Sequence, residues 1–192
     1  MRVAILCEFS GTVRDAFIRR GHEAISCDLL PTESPGPHIQ GDCMEHDWSG
    51  YDLAICHPPC TYLACSGLHW NKRVPGRAGK TEEALRFVSR LLDLPVPRIA
   101  LENPKGCIGT RIRKHDQKVQ PWMFGDDAAK ETCLWLKGLP LLKPTDVIIK
   151  DRYANQTPSG QNRLGPSADR WKLRSKTYGG MAEAMASQWG TL

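Results

Sequence analysis

The residues best suited to chemistry are Cys60 and Glu102, and each closes a short apolar run. In Leu53-Ala54-Ile55-Cys56-His57-Pro58-Pro59-Cys60 the run leads into two prolines and a thiol. Proline fixes φ and removes a backbone donor, so a diproline turn holds the next residue in a set direction. A thiol held that way is suited to nucleophilic attack. The attacking form is the thiolate, and a free cysteine titrates near ~8.5, so nearby cations or N–H groups must assist it at neutral pH. In Arg98-Ile99-Ala100-Leu101-Glu102-Asn103-Pro104 a second run ends in a carboxylate and an amide. A carboxylate at the end of a core strand needs a partner or a task. If both runs are parallel strands of one open sheet, both groups face the crevice outside the strands' carboxyl ends. His57 stands beside the turn, but alternation along an extended chain points it elsewhere, and it is assigned no role.

The elements that must place these groups follow from hydrophobic pattern. Residues 3–7, 23–27, 51–56 and 98–101 read as buried strands, with 38–40 a short one. Residues 11–20 read as a helix, with Val13, Phe17 and Ile18 on one face and Arg14, Arg19 and Arg20 on another, stopped by Gly21. Residues 30–36, with Pro31 and Pro35 inside and Pro37 beside them, form a loop. A polar, glycine-rich stretch at 66–80 precedes a helix at 81–92 whose Ala84, Leu85, Val88, Leu91 and Leu92 share a face. Strands alternating with helices predict parallel pairing with right-handed crossovers, the doubly wound α/β class. Beyond Pro104 the pattern thins. Residues 132–136 and 147–149 read as edge strands, antiparallel to the rest, and 151–177 as a polar, basic, mobile segment. A last helix at 181–189 carries Met181, Met185 and Trp189 on one face, a core stripe.

Composition narrows the function classes. A chain of 192 residues suits one domain with a proper core. The formal charge of +5 suits a polyanionic partner without requiring one. No apolar run reaches the roughly 18 residues of a membrane span. The first apolar stretch is broken by Glu8 and has no cleavage site, so a cytoplasmic protein is expected. Eight cysteines without an export signal argue against a disulfide scaffold, and there is no Cys-x-x-Cys pair. Cys56, His57, Cys60 and Cys65 match no common zinc spacing, so no metal is expected. Cys7, Cys27 and Cys56 end apolar runs and read as small buried hydrophobes.

Taken in order, Phe9-Ser10-Gly11, Asp28, Gly41-Asp42, Pro58-Pro59-Cys60 and Glu102-Asn103 resemble the motifs of the cytosine-C5 DNA methyltransferases, most closely small phage-type members. The tail from Lys176 to Ala186 is similar to that family's closing helix. The resemblance implies a Rossmann-like S-adenosylmethionine-dependent methyltransferase fold, α/β, with a mostly parallel sheet and helices on both faces. It implies cofactor contacts from Phe9, Ser10, Gly11, Asp28, Asp42 and Pro58, with Asp28 on the ribose and Asp42 at the adenine. It makes Cys60 the nucleophile toward cytosine C6, with Glu102 and Asn103 gripping the base. The partner is then DNA, whose target base leaves the duplex. Arg73, Arg163, Arg174 and Lys176 are the expected phosphate contacts, with Trp171 among cations suited to stacking.

One domain over 1–192 would then divide into a cofactor and catalytic half (1–104), a reduced recognition and edge region (105–178) and a closing helix (179–192). So short a recognition region implies low sequence selectivity or a protein partner for target recognition. Three features depart from the family. Gly11-Thr12-Val13-Arg14 stands where the family has Gly-x-Gly-Gly, Pro104 follows Glu-Asn in place of Val, and no clean Gln-x-Arg-x-Arg strand is present. Two alternatives therefore stand beside DNA methylation. One is the same chemistry on a cytosine nucleotide or with another C5 group. The other is a catalytically degenerate fold that binds DNA.

Overall fold

Seven strands form one sheet, and their burial patterns explain why these segments pair. The computed structural model describes residues 1–192. The strands are β1 (Arg2–Leu6), β2 (Glu23–Asp28), β3 (His38–Gln40), β4 (Leu53–Cys56), β5 (Arg98–Asn103), β6 (Gln117–Val119) and β7 (Thr132–Lys137), in the order β3-β2-β1-β4-β5-β7-β6. All neighbours from β3 to β5 are parallel, while β7 runs antiparallel to both β5 and β6. The fold is Rossmann-like α/β, differing from the common 3-2-1-4-5-6 order by one inverted strand inserted before the edge.

Alternate residues of the central strands supply two cores, since successive side chains point to opposite faces. Val3, Ile5, Leu53, Ile55 and Ala100 face α1 (Thr12–Arg19) and the closing helix. Ala4, Leu6, Ala54, Cys56, Ile99 and Leu101 face the other way. Between those layers the chain forms α2 (Cys65–Leu68), then α3 (Arg77–Leu92), which covers the second face with Leu85, Val88 and Leu91. Next come α4 (Ile108–Arg111), α5 (Arg170–Ser175) and the closing helix α6 (Gly179–Trp189). Met181, Met185 and Trp189 of α6 are all buried. At about 2 kcal/mol per buried large side chain, packing holds α6 in place far more strongly than helix propensity does. No helix is long and apolar enough to cross a membrane.

Four sequence expectations change. Arg14, placed on the polar face of α1, is fully buried, whereas Ile18 on the apolar face is 38% exposed. The Arg14 guanidinium donates to Ser34 O at 2.9 Å and Ser26 Oγ at 3.2 Å and pairs with Asp15 at 2.7 Å, so the loop between β2 and β3 encloses it. Helix α3 begins at Arg77, and the stretch before it contains α2. Residues 147–149 form no strand, and Ile149 is 87% exposed. The sheet edge is instead β6, whose polar Gln-Lys-Val sequence carries little hydrophobic signal. Residues 151–177 include α5, whose Trp171 packs on Phe9 with ring centroids 6.4 Å apart.

Candidate active site

Parallel pairing of β4 with β5 sets Cys56 opposite Leu101, so Cys60 and Glu102 both emerge at the carboxyl edge of neighbouring strands. A buried hydrogen bond from Asn103 Nδ2 to Pro58 O, 2.7 Å long, ties the diproline turn to the end of β5. The Cys60 carbonyl accepts from Leu63 N at 3.0 Å and Ala64 N at 2.9 Å, which closes the turn behind the thiol. Cys107 N then donates to Leu63 O at 2.9 Å. A Cβ on Gly106 would sit 1.9 Å from that same oxygen, so only glycine permits this approach. Cys60 itself is exposed.

Glu102 is the electrostatic centre. His57 Nδ1 lies 3.3 Å from its Oε2, and Thr132 Oγ1 donates to its Oε1. Burial opposes ionisation of this carboxyl, but the hydrogen bond from His57, the charges of Lys130 and His57 and the Thr132 hydroxyl outweigh it, holding its pKa down to about 2. Glu102 is therefore a carboxylate at neutral pH. His57, given no role from sequence, faces this carboxylate directly. The thiol of Cys60 is pushed up, first by desolvation and then by the charge of Glu102, while Lys130 and Arg174 pull it back. His57 Nε2 and Asn103 Oδ1 are buried without partners.

A cleft of about 480 Å³ opens beside this cluster, at the ends of β1, β2 and β3 and against α3. Leu29, Leu63 and Phe87 line it together with Asp28, Asp42 and Pro59. It adjoins the β1/β4 point where strand order reverses, the usual ligand crevice of such sheets. Asp28 Oδ1 accepts from Leu30 N and Asp42 Oδ1 from Met44 N, both at 2.9 Å, so one oxygen of each carboxylate is spent within its own turn. Burial raises the pKa of Asp28. Apolar walls with two carboxylates among the lining fit a nucleoside, whose base stacks and whose hydroxyls donate.

Other expected cofactor residues lie apart from that cleft. Phe9 is buried under Trp171, and Ser10 Oγ donates to Glu8 Oε1 at 3.2 Å. The Glu8 carboxylate accepts from Val13 N at 2.7 Å and Arg14 N at 3.3 Å, so the chain's own anion satisfies the start of α1. Gly11 is left-handed (φ 75°) and faces Arg14, whose guanidinium would lie 2.5 Å from an added Cβ. Pro58 spends its carbonyl on Asn103, and Pro59 is the proline that reaches the cleft.

The four expected phosphate contacts also diverge. Arg73 lies over the Trp70 ring at 5.7 Å, on the segment that follows Cys60. Arg163 donates to Ala154 O at 3.3 Å. Arg174 is near enough to Cys60 to lower its pKa. Lys176 is paired with Glu33, which removes much of its attraction for a phosphate. Sequence reasoning missed His57, Lys130 and Thr132. No group of three His, Cys, Asp or Glu side chains is placed to hold a metal ion.

No protein-family model matches the chain. No curated protein matches it significantly. Among solved structures it is similar to the 16S rRNA methylase RmtB, with a TM-score of 0.38 and 14% identity over 71% of this chain and 55% of that one. It is also similar to a mutant of DNMT2 from Spodoptera frugiperda, with a TM-score of 0.42 and 16% identity over 77% of this chain and 54% of that one. The chain thus spans about half the length of either structure.

Proposed function

We propose that this chain transfers a methyl group from S-adenosylmethionine to C5 of a cytosine in DNA, through a transient bond between Cys60 and the base. One observation carries the reading. An exposed thiol and an ionised carboxylate stand at the ends of adjacent strands, joined through the Asn103–Pro58 hydrogen bond and bordered by the Asp28/Asp42 cleft.

Cytosine C5 is a poor nucleophile until a group adds to C6. The Cys60 thiolate would form that S–C6 bond, the C5–C6 pair would shift to C4–C5 and the C4–N3 pair onto N3, and N3 would take the proton that the thiol gave up, passed on through Glu102, leaving an enamine with a nucleophilic C5. Glu102, a carboxylate at rest, would accept hydrogen bonds from the exocyclic amine and from the protonated N3. Those bonds also spread the negative charge that holds the thiol's pKa up. Seating the base would therefore favour the thiolate, aided by Lys130 and Arg174. Asp28 and Asp42 would hold the nucleoside end of S-adenosylmethionine, which when bound supplies an electrophilic methyl group. Once C5 is substituted, water at this exposed edge would take the C5 proton, the C5–C6 double bond would re-form and Cys60 would leave as a thiolate. The base must leave the duplex to reach this edge, and Arg73, which lies over Trp70, would meet the displaced strand.

The test is a duplex containing 5-fluorocytosine, incubated with S-adenosylmethionine. Fluorine cannot leave as the C5 proton does, so the reading expects a denaturation-resistant protein–DNA complex that is absent from Cys60→Ala. Tritium from the labelled cofactor should enter ordinary DNA with the same dependence on Cys60. Label entering mononucleotides alone would redirect the reading to a nucleotide substrate. DNA binding with neither complex nor transfer would leave a degenerate fold.

A further inference from the structure

We infer that Cys7 and Cys43 form a dithiol site that a small disulfide entering the Asp28/Asp42 cleft closes reversibly to a protein disulfide, and that this bond lowers the cleft's affinity for a nucleoside. The control of affinity rests on the function proposed above; the dithiol does not. Cys7, Cys27 and Cys43 all line the cleft, and with Cys56 they belong to one packed cluster. All four are free thiols. Cys7 is the one non-glycine residue with a left-handed backbone (φ 59°), a conformation that L side chains rarely adopt and that gathers at functional sites. Cys7 N and Glu8 N both donate to Cys27 O, at 2.8 and 3.3 Å, which coils the chain at the end of β1. Cys7 is half-buried there, while Cys43 is 4% exposed. The two thiols hydrogen-bond to each other.

That contact separates this pair from the other cysteines. Sulfurs in hydrogen-bond contact are already neighbours, the first requirement of a disulfide. The S–H of Cys7 lowers the pKa of Cys43, so the pair gives up its first proton and shares one thiolate along the contact. Cys27 gives its S–H to Gly41 O at 3.6 Å, and burial pushes its pKa up to about 12; burial also raises that of Cys56, so both stay thiols. Cys7, the more exposed member, would attack the small disulfide as its own proton passes to Cys43. The reagent's S–S bond breaks, a mixed disulfide forms at Cys7, and the small thiolate that leaves takes up the proton already released. Cys43 would then lose its proton and attack the Cys7 sulfur, and the second small thiolate departs and takes that proton as the Cys7–Cys43 bond forms. The pair loses two electrons and two protons, and the reagent becomes two thiols. Asp42 directly precedes Cys43 and its Oδ1 accepts from Met44 N, while Cys43 O accepts from Trp48 Nε1 at 2.7 Å. The turn at Cys43–Glu45 is thus one unit, and drawing its sulfur toward β1 carries the Asp42 carboxylate along.

The test uses protein carrying Cys60→Ser and Cys65→Ser, which removes the two exposed thiols. It is incubated with the disulfide of mercaptoethanol, the remaining thiols are alkylated in denaturant, and the digest is mapped by mass spectrometry. Calorimetry measures S-adenosylhomocysteine binding before oxidation, after it and after reduction. The map should join the Cys7 and Cys43 peptides, with Cys27 and Cys56 recovered alkylated. Cys43→Ser should stop at a mixed disulfide on Cys7, and Cys7→Gly, which suits the left-handed backbone, should give neither product. Affinity should fall by about tenfold, the loss of one Asp42 hydrogen bond, and return on reduction. Cys7 and Cys43 recovered as thiols, a bond from either to Cys27, or a mixed disulfide persisting on Cys7 beside an intact Cys43 would each overturn the dithiol. Crosslinked protein that binds as tightly as the reduced protein would overturn its hold on the cleft. If the reduced protein binds no S-adenosylhomocysteine, the cofactor reading fails and the effect on affinity falls with it, while the peptide map still decides the dithiol.

Discussion

Replacing Glu102 with Gln should remove a specific part of the protein's acid sensitivity. Its folded pKa of about 2 lies well below the 4.5 of an ordinary glutamate carboxyl. A depressed carboxylate stabilises the fold above its unfolded pKa, and that contribution disappears as pH falls through the folded value. At ~1.4 kcal/mol per pH unit, the gap is worth roughly 3 kcal/mol at neutral pH, of which about 2 kcal/mol is lost by pH 3. Other carboxylates titrate in the same range, so the measured quantity is a difference. Urea unfolding of wild-type and Glu102→Gln proteins at half-unit steps from pH 6 to pH 3 gives it. The wild-type curve should fall relative to the variant by about 2 kcal/mol across that window. A difference that stays level within about 0.5 kcal/mol would refute the claim that donors and nearby charge overcome burial at Glu102.

Three further outcomes are expected. Alkylation of Cys60 by iodoacetamide, read by peptide mass spectrometry with exposed Cys65 as internal reference, should quicken in Glu102→Gln and slow in Lys130→Ala, because those two charges oppose each other at the thiol. Arg14→Met leaves the carbonyls of Ser34 and Pro35 short of a donor inside the fold and should cost about 3 kcal/mol, or roughly 6–12 °C in melting temperature by calorimetry. A loss under about 1 kcal/mol would show the guanidinium to be dispensable. Gly106→Ala should displace Leu63 and impair 5-fluorocytosine trapping at Cys60, whereas Gly109→Ala, whose Cβ meets nothing, should not.

The parts of this fold that could be read in advance are those dominated by one-dimensional pattern. Val3 and Ile5 serve one core and Ala4 and Leu6 the other, so a continuous apolar run is what a strand covered on both faces must look like. The parts that stayed hidden depend on distant partners. Arg14 looks like a surface residue of an amphipathic helix until the loop about twenty residues later supplies its acceptors. Lys176 looks free because Glu33 is remote in sequence. His57 was the avoidable miss. The alternation that turns it from the thiol also aligns it with Glu102 once β4 and β5 are paired, a register that their apolar runs already suggest. Lys130 and Thr132 carry no such signal, because they meet Glu102 only through the inverted strand β7.

The burial of Arg14 makes the two rims of the cleft unequal. The rim carrying Leu29 continues into the loop that wraps the guanidinium, so lifting it would break the bonds from Arg14 to Thr32, Ser34 and Pro35 together. The opposite rim, Pro59 to Leu63, is tied to α3 through a bond from Arg77 to Thr61 O, which lies in water, and one from buried Thr81 to Tyr62 O. Pro59, Tyr62 and Leu63 wall the cleft on the same stretch of chain that holds the thiol, so whatever fills the pocket braces the backbone on both sides of Cys60.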